Sequence, residues 1–159
     1  MNGFGKLNVL VPRSLCSVSD EINLEVNQEG FSPVEISWEK GFISAIKSNP
    51  NGVKTNKILL PRFVEPHAHL DKSFSWTNYP NLESNYENAL FVNLEEHDTR
   101  TTEKVINRAK HSIEIAIKNG YRAIRTHVDT YPSQDIGIWS ELFHLQEKYS
   151  KFLKLQFVA

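Results

Sequence analysis

Hydrophobic and polar residues alternate along the first third of the chain, as they do in half-buried strands. Short apolar runs at 7–15 and 22–26 each predict a strand, separated by a turn-rich segment at 16–20. Further alternation at 34–38, a turn at 39–41 and a second apolar run predict a hairpin. The first sixty residues therefore indicate a small antiparallel sheet, with residues 51–57 connecting it to the rest of the chain.

From residue 58 the pattern changes to strands that alternate with helices. Residues 102–119 keep apolar positions three and four apart, Thr101 can cap the start and Gly120 can end the helix. Residues 136–149 predict another amphipathic helix, and strands are predicted at 122–129 and 153–159. Such alternation with short returns implies a parallel sheet with right-handed crossovers.

The segment after His69 has no single period and predicts a long loop. It is rich in aromatic residues and asparagines: Phe74, Trp76, Asn78, Tyr79, Asn81, Asn85 and Tyr86. A loop at the C-terminal end of a barrel strand can form a lid or a wall of the substrate site. The aromatic side chains could equally serve only to hold the loop against the body of the protein, and the sequence leaves both interpretations open.

Two predicted strands carry polar side chains on one face near their C-terminal ends. In the first, Val64, Ala68 and Leu70 alternate with Glu65, His67, His69 and Asp71. In the second, Ile124, Thr126 and Val128 alternate with Arg125, His127 and Asp129. Because successive side chains of a strand point to opposite faces, each strand has an apolar side that can pack under helices. The polar side would be costly inside a core unless it served water, metal or substrate.

The spacing of His67 and His69 is suited to metal binding. Imidazoles at positions i and i+2 on one strand face can both reach one ion, at about 2.0–2.1 Å for zinc. A catalytic zinc normally has three protein ligands and a water, so two histidines supply only part of a site. His127 or a neighbouring carboxylate is the nearby candidate for a third ligand.

The neighbours of these histidines each admit two roles. Asp71 could orient a ligand histidine or simply end the strand. Arg125 and Asp129 could form an ion pair across the barrel mouth or contact substrate. Lys72 could contact an anionic or carbonyl group or be solvated, and Glu65 could pair with Arg125. The sequence assigns no catalytic residue.

The remaining histidines are predicted to lie in solvent. His111 and His144 fall on the polar faces of their predicted helices. His97 lies in the charged run 95–98 and is expected to be exposed.

Composition narrows the functional classes. The chain has 159 residues, of which 40% are hydrophobic, and eighteen Lys plus Arg balance nineteen Asp plus Glu. This balance gives no basic face for nucleic acid, and no apolar run indicates a signal peptide or a membrane span. The single cysteine, Cys16, is expected to be a buried reduced thiol, in keeping with a cytoplasmic protein. Nucleotide-binding loops and a Gly-x-Ser-x-Gly elbow are missing from the sequence.

Taken together, these motifs resemble the cytosine-deaminase branch of the metal-dependent amidohydrolases. The resemblance rests on Val-Glu-Pro-His-Ala-His-Leu-Asp-Lys at 64–72, Asn-Gly at 119–120 and Arg-Thr-His-Val-Asp at 125–129. It spans essentially the whole chain. The two-histidine motif is common to the superfamily, whereas the later Thr-His-Val-Asp is more specific to this branch.

The resemblance implies an α/β fold: the N-terminal portion of a (β/α)8 TIM barrel, preceded by part of a small antiparallel β-sandwich and truncated at the third barrel strand. Residues 1–57 would form the sandwich part and 58–159 the barrel part. It also implies one divalent metal ion, zinc or iron, with His67 and His69 among its ligands. His127 and Asp129 would line the barrel mouth, and metal-activated water would remove an amino group from a pyrimidine or related heterocycle.

The family's later metal ligands and acid-base residues would lie beyond Ala159. We therefore expect a fragment or a truncated homologue that is inactive alone, with an open sheet edge that allows oligomers. One alternative is a non-catalytic binding or assembly module. Another is a hydrolase of a cyclic amide or an alkylamino-substituted ring.

Overall fold

The computed structural model describes residues 3–17, 23–49, 55–129 and 135–159, which fall into two compact units, Met1–Pro61 and Arg62–Ala159. The described residues form an α/β protein with two three-stranded sheets and three α-helices. No helix among them is both long and apolar enough to cross a lipid bilayer. The division into domains 1–57 and 58–159 stays a prediction, because compact units do not by themselves test independent folding.

The first unit is an antiparallel sheet in the order β1-β2-β3. Its strands are β1 (Phe4–Pro12), β2 (Phe31–Glu39) and β3 (Phe42–Ser48). The predicted hairpin is confirmed, and its two-residue turn has positive φ at Lys40 (51°) and Gly41 (84°). Turns of this kind match the right-handed twist of the flanking strands. The buried core of the sheet consists of Val9, Val11, Leu24, Val34 and Ile36.

Two predictions for this unit differ from the structure. The first strand begins at Phe4 and ends at Pro12, where a 3-10 turn, Arg13–Leu15, takes over because the amide of Cys16 bonds back to the carbonyl of Arg13. Of the strand predicted at 22–26, residue 22 lies outside the described residues and 23–26 contain no strand. Leu24 is nevertheless buried, so its apolar character reflects packing rather than strand pairing. Parts of the predicted turn (18–20) and connection (51–54) also lie outside the described residues.

The second unit carries a parallel sheet in the order β4-β5-β6, as predicted. In chain order its elements are β4 (Phe63–Ala68), α1 (Tyr86–Asp98), α2 (Thr102–Lys118), β5 (Tyr121–His127), α3 (Asp135–Tyr149) and β6 (Lys154–Val158). The helices predicted at 102–119 and 136–149 correspond to α2 and α3. The strands predicted at 122–129 and 153–159 correspond to β5 and β6.

Helices α2 and α3 pack against the sheet through the apolar positions that predicted them. The Thr101 side chain accepts a hydrogen bond from the amide of Lys104, and Gly120, with φ of 83°, ends the following turn. The core contains Leu70, Val105, Ala109, Ile113, Ala116, Ile124, Val128, Ile138, Leu142, Leu145, Tyr149, Leu153 and Leu155. Burial of these side chains fixes the two helices on one face of the sheet.

Helix α1 was not predicted, because the sequence indicated an irregular loop there. Asn85 caps it by accepting a hydrogen bond from the amide of Asn88 at 2.7 Å. Its Leu90 and Phe91 are exposed, whereas the charged Glu96 is only 2% exposed. A helix that buries a carboxylate and exposes leucines lacks the apolar stripe by which amphipathic helices are predicted.

Shortening a buried side chain of α2 tests this packing. We expect Ile113→Ala to lower the free energy of unfolding by about 2–5 kcal/mol, because Ile113 is 1% exposed and its truncation leaves a cavity. Urea unfolding followed by circular dichroism measures the change. Ile115→Ala in the same helix is the matched control, with an expected loss below about 1 kcal/mol because Ile115 is 41% exposed. Equal losses in the two variants would contradict this packing.

Candidate metal site

Three histidines meet where β4 and β5 end. His67 lies in β4, His69 directly follows that strand, and His127 is the last residue of β5. The ring centroids of His67 and His127 are 4.1 Å apart in a stacked arrangement, and those of His67 and His69 are 5.4 Å apart. One nitrogen from each of the three rings lies within 4.8 Å of the others.

Backbone pairing brings these side chains to the same edge. β4 and β5 are parallel, and Ala68 pairs with Thr126, so the carboxyl ends of both strands lie side by side. The amide of Leu70 then donates to the buried hydroxyl of Thr126 at 3.0 Å, tying the segment after β4 to β5. Regular alternation was predicted through residue 71, but β4 ends at Ala68 and a turn follows. His67 and His69 still converge.

The three imidazoles fit a divalent transition metal. Within the described parts of the chain, Nδ1 of His69 and Nδ1 of His127 are buried and have no hydrogen-bond partner. A buried polar atom without a hydrogen-bond partner lowers the free energy of unfolding by about 1–3 kcal/mol. Imidazole nitrogens are ligands that zinc and iron accept, so an ion bound at Nδ1 of His127 would remove this cost at that ring.

Two carboxylates lie close to Nδ1 of His69, beyond hydrogen-bond distance. Oδ1 of Asp129 is 3.6 Å from Nδ1 of His69, and Oδ1 of Asp71 is 3.8 Å from the same atom. Both distances exceed a hydrogen bond. Nitrogen and oxygen atoms of these three residues form a second group that could hold an ion. Burial, followed by the charge of Lys72, lowers the pKa of His69 below its ordinary value, which favours the neutral imidazole.

The two carboxylates have different electrostatic environments. Asp71 is almost fully buried, and this burial raises its pKa above the ordinary value despite the neighbouring Arg100. Burial would also raise the pKa of Asp129, but a hydrogen bond from Lys72 outweighs it and lowers that pKa. The ammonium of Lys72 lies 2.5 Å from Oδ2 of Asp129. Asp129 is therefore ionised at neutral pH.

The ion pairs considered for Arg125 are not formed. Its Nε donates to Oε1 of Gln156 on the neighbouring strand at 3.2 Å, while Asp129 pairs with Lys72. Glu65 accepts a hydrogen bond from the amide of His67 at 3.0 Å. Arg125 lies within the ladder opposite Gln156, whereas Asp129 lies beyond the strand end, where the turn after β4 presents Lys72.

A buried ionic network lies behind the site, and sequence reasoning missed it. Arg100 donates to Glu96, to Oδ2 of Asp71 at 3.1 Å and to the carbonyl of Asp129 at 3.2 Å. Arg108 of α2 also donates to Glu96. The i,i+4 spacing of Glu96 and Arg100 was a usable signal, but it has meaning only on a helix, and this segment was predicted as a loop.

The other histidines divide between two environments. His144 is largely exposed, with 68% of its side-chain surface accessible, and His111 is exposed beside Phe74, so both predictions are confirmed. The prediction that His97 is exposed is wrong, because only 16% of its side-chain surface is accessible. Its position on α1 beside buried Glu96 explains the difference.

Aromatic side chains of the segment after β4 line an open cavity of about 400 Å³. Its walls include Trp76, Tyr79 and Tyr86 together with Lys72, Ser75, Asn81, Ala89, Leu90, Val92, Asn93 and Glu96. Tyr79 also shares a hydrogen bond with Thr99, so it helps to hold this segment against α1. Trp76 and Tyr86 remain exposed. The segment thus has both a packing role and a free aromatic surface.

The fold of this chain is similar to part of several solved enzyme structures. 5-methylcytosine deaminase from Klebsiella pneumoniae, liganded with 5-fluorocytosine, matches with a TM-score of 0.67 at 20% identity, over 98% of this chain and 36% of that chain. The same enzyme liganded with phosphonocytosine gives a TM-score of 0.61 at 20% identity over the same shares of the two chains. N-isopropylammelide isopropylaminohydrolase from Burkholderia multivorans matches at 19% identity over 96% of this chain and 37% of that one, but its TM-score of 0.46 is too low to support an argument.

The resemblance predicted from the sequence is thus confirmed at the level of the fold. The chain spans 36% of the length of the two 5-methylcytosine deaminase structures, as expected for an N-terminal part. No protein-family model and no curated protein sequence matches it.

The ionised Glu96 should make stability depend on pH. Burial would raise the pKa of Glu96, but hydrogen bonds from Arg100 and Arg108 outweigh it and hold the pKa below its ordinary value of 4.5. Because the folded-state pKa is the lower one, this contribution to stability is present above about pH 4.5 and is lost as the pH falls through the folded-state value. We expect Glu96→Gln to lower the free energy of unfolding at neutral pH by about 3 kcal/mol and to flatten its decline in acid.

Urea unfolding of both proteins between neutral and acidic pH measures this effect. Glu95→Gln, at an exposed position of the same helix, is the control and should change stability by less than about 0.5 kcal/mol. An unchanged acid dependence in Glu96→Gln would show that the carboxylate is not held ionised by the two arginines.

Proposed function

We propose that this chain forms the N-terminal portion of a (β/α)8 barrel hydrolase that removes an amino group from a nitrogen heterocycle. The observation that carries the proposal is the convergence of three imidazoles at the carboxyl ends of adjacent parallel strands. Active sites of such barrels lie at this end of the strands. The fold alone would not suffice, because one fold hosts many functions and the chemistry lies in the site.

His67 and His69 would hold one divalent metal ion, zinc or iron, with His127 beside them. A bound ion of this kind lowers the pKa of a water molecule to about 7, which supplies a nucleophile at neutral pH. The neutral state of the His69 imidazole suits it to this role, because a protonated ring has no lone pair for a metal.

The other polar groups orient the site. Asp71 and Asp129 face Nδ1 of His69 and favour the tautomer with its proton on that atom, which leaves the lone pair on Nε2. Lys72 holds Asp129 in place and keeps it ionised, so its carboxylate can accept a hydrogen bond from a ring N–H of a substrate. His127 and Asp129 would thus line the mouth of the site.

The proposed substrate class is a pyrimidine or a related planar heterocycle. The solved deaminase structures carry 5-fluorocytosine and phosphonocytosine, and planar rings stack on aromatic side chains such as those of Trp76 and Tyr86. Lys72 both lines the aromatic cavity and contacts Asp129, which links the cavity to the histidines. This chain spans 36% of the length of those enzymes, so we propose both the complete active site and its substrate class rather than observe them.

Metal binding is the direct test. We expect the purified chain to bind one zinc or cobalt ion, measured by equilibrium dialysis and by the visible absorption of cobalt. The double variant His67→Ala, His69→Ala should weaken binding at least about 100-fold, because it removes two ligands whereas losing a supporting contact already costs 10–100-fold. His144→Ala, at an exposed position on α3, should bind like the unchanged chain. Absence of binding, or binding that survives the double substitution, would refute the proposed site.

Measurements of ligand binding and of turnover test the proposed substrate class. We expect 5-fluorocytosine to perturb the cobalt absorption of the loaded chain, because a ring bound at the mouth changes the surroundings of the ion. We also expect no ammonia release from cytosine with zinc or iron added, because the chain spans only 36% of the length of the matching deaminase structures. An alkylamino-substituted triazine is tested in parallel. Perturbation by the triazine alone would favour the alkylamino substrate class, and perturbation by neither compound would contradict a heterocycle site.

A further inference from the structure

Arg100 occupies a central position behind the histidines. Its side chain is 2% exposed, and its guanidinium contacts three different segments. It donates to the carboxylate of Glu96 on α1, to Oδ2 of Asp71 after β4 and to the carbonyl of Asp129 after β5. The same Oδ2 of Asp71 accepts a hydrogen bond from the amide of Asp129 at 3.2 Å. The backbone of Asp129 is therefore held at both its N–H and its C=O.

Glu96 anchors Arg100 from the other side. The side chain of Glu96 is 3% exposed and accepts hydrogen bonds from both Arg100 and Arg108. Arg108, on α2, also reaches the carbonyl of Asp71 at 3.4 Å. Two helices thus hold one guanidinium in place, and that guanidinium holds the two carboxylate residues that face His69.

We propose that Arg100 is a positioning residue that fixes Asp71 and Asp129 against His69 and thereby sets the orientation of this imidazole for metal binding. The inference rests on the proposed function, because it assigns a role in the same site. Among the described residues, the guanidinium of Arg100 donates hydrogen bonds to Glu96, Asp71 and Asp129 and to none of the imidazoles of His67, His69 and His127, so it acts through the two aspartates. Partners of this kind fix the tautomer and ring orientation of ligand histidines.

The planar fork of arginine is what this role requires. Nε and Nη2 of this rigid group donate to Glu96, whereas Nη1 donates to both Asp71 and the carbonyl of Asp129. A lysine ammonium carries the same charge but is a single point on a flexible stem. Arg100→Lys therefore keeps a positive charge among the buried carboxylates while losing the simultaneous contacts, which separates positioning from charge compensation.

The test compares Arg100→Lys with the unchanged chain in two measurements made under conditions where circular dichroism shows both folded. The zinc dissociation constant, measured by competition with a chelator, should rise about 10–100-fold in the variant. The imidazole 15N resonances of His69 in the metal-free chain should shift, because the two carboxylates within 4 Å of Nδ1 would no longer be held at fixed positions. Glu96→Gln weakens the hydrogen bonds that hold Arg100 but retains Arg100 itself, so it should change both quantities in the same direction. This variant replaces Arg100→Lys in the test if Arg100→Lys does not fold.

Tyr149→Phe is the stability control. It removes a partly buried hydrogen bond of 2.7 Å from Tyr149 of α3 to Glu114 of α2, and should leave both measurements unchanged while lowering stability. A folded Arg100→Lys with native zinc affinity and unshifted His69 resonances would overturn the inference. If the unchanged chain bound no zinc, the proposed function would fail, and the His69 resonances would still decide whether Arg100 positions the ring.

Discussion

The parallel pairing of β4 with β5 is the constraint on which the site depends. Parallel strands require a crossover connection, here through α1 and α2, and they place both carboxyl ends at one edge of the sheet. Residues far apart in sequence therefore meet, as in the contacts of Leu70 with Thr126 and of Lys72 with Asp129. Without this pairing, His67 and His127 would have no reason to stack.

The buried ionic network of Glu96 and Arg100 is better explained by the positions that it imposes on neighbouring groups than by a gain in folding stability. Removing charges such as those of Glu96 and Arg100 from water is expensive, and well-packed apolar residues in place of buried ion pairs are often neutral or stabilising. What charged groups provide and apolar side chains cannot is directional bonding to defined atoms. Arg100 uses this property to hold a carboxylate and a main-chain carbonyl at the ends of two strands. Helix α1, whose leucines are exposed, is tied into the second unit by these bonds rather than by an apolar face.

Similarity to a known fold and the chemistry of the site contribute different parts of the functional argument. A deaminase structure at 20% identity supports the fold of this chain, but it transfers neither a site nor a reaction. The case for a metal site comes from residues of this chain: three imidazoles with nitrogens close together, two of them with buried unpartnered atoms among the described residues. Lys72 and Asp129 add a charged pair at the edge of the same group.

The sequence by itself determined the elements whose side chains follow a regular period. The spacing of Val105, Ala109 and Ile113 predicted α2, and alternation predicted the β2–β3 hairpin and the polar face that carries His127. The sequence also predicted that His67 and His69 lie on the same strand face, because strand periodicity is a local property. Family resemblance supplied the barrel context and the expected metal.

Only the tertiary structure decided which distant polar groups become partners. Helix α1 escaped prediction because ion pairs of Glu96, rather than an apolar stripe, hold it, and for the same reason His97 was wrongly expected to be exposed. The choice of Lys72 instead of Arg125 as the partner of Asp129 depends on how the turn after β4 folds back over the end of β5. Such choices involve directional contacts between residues about thirty to sixty positions apart, and no local pattern of hydrophobic and polar residues encodes them.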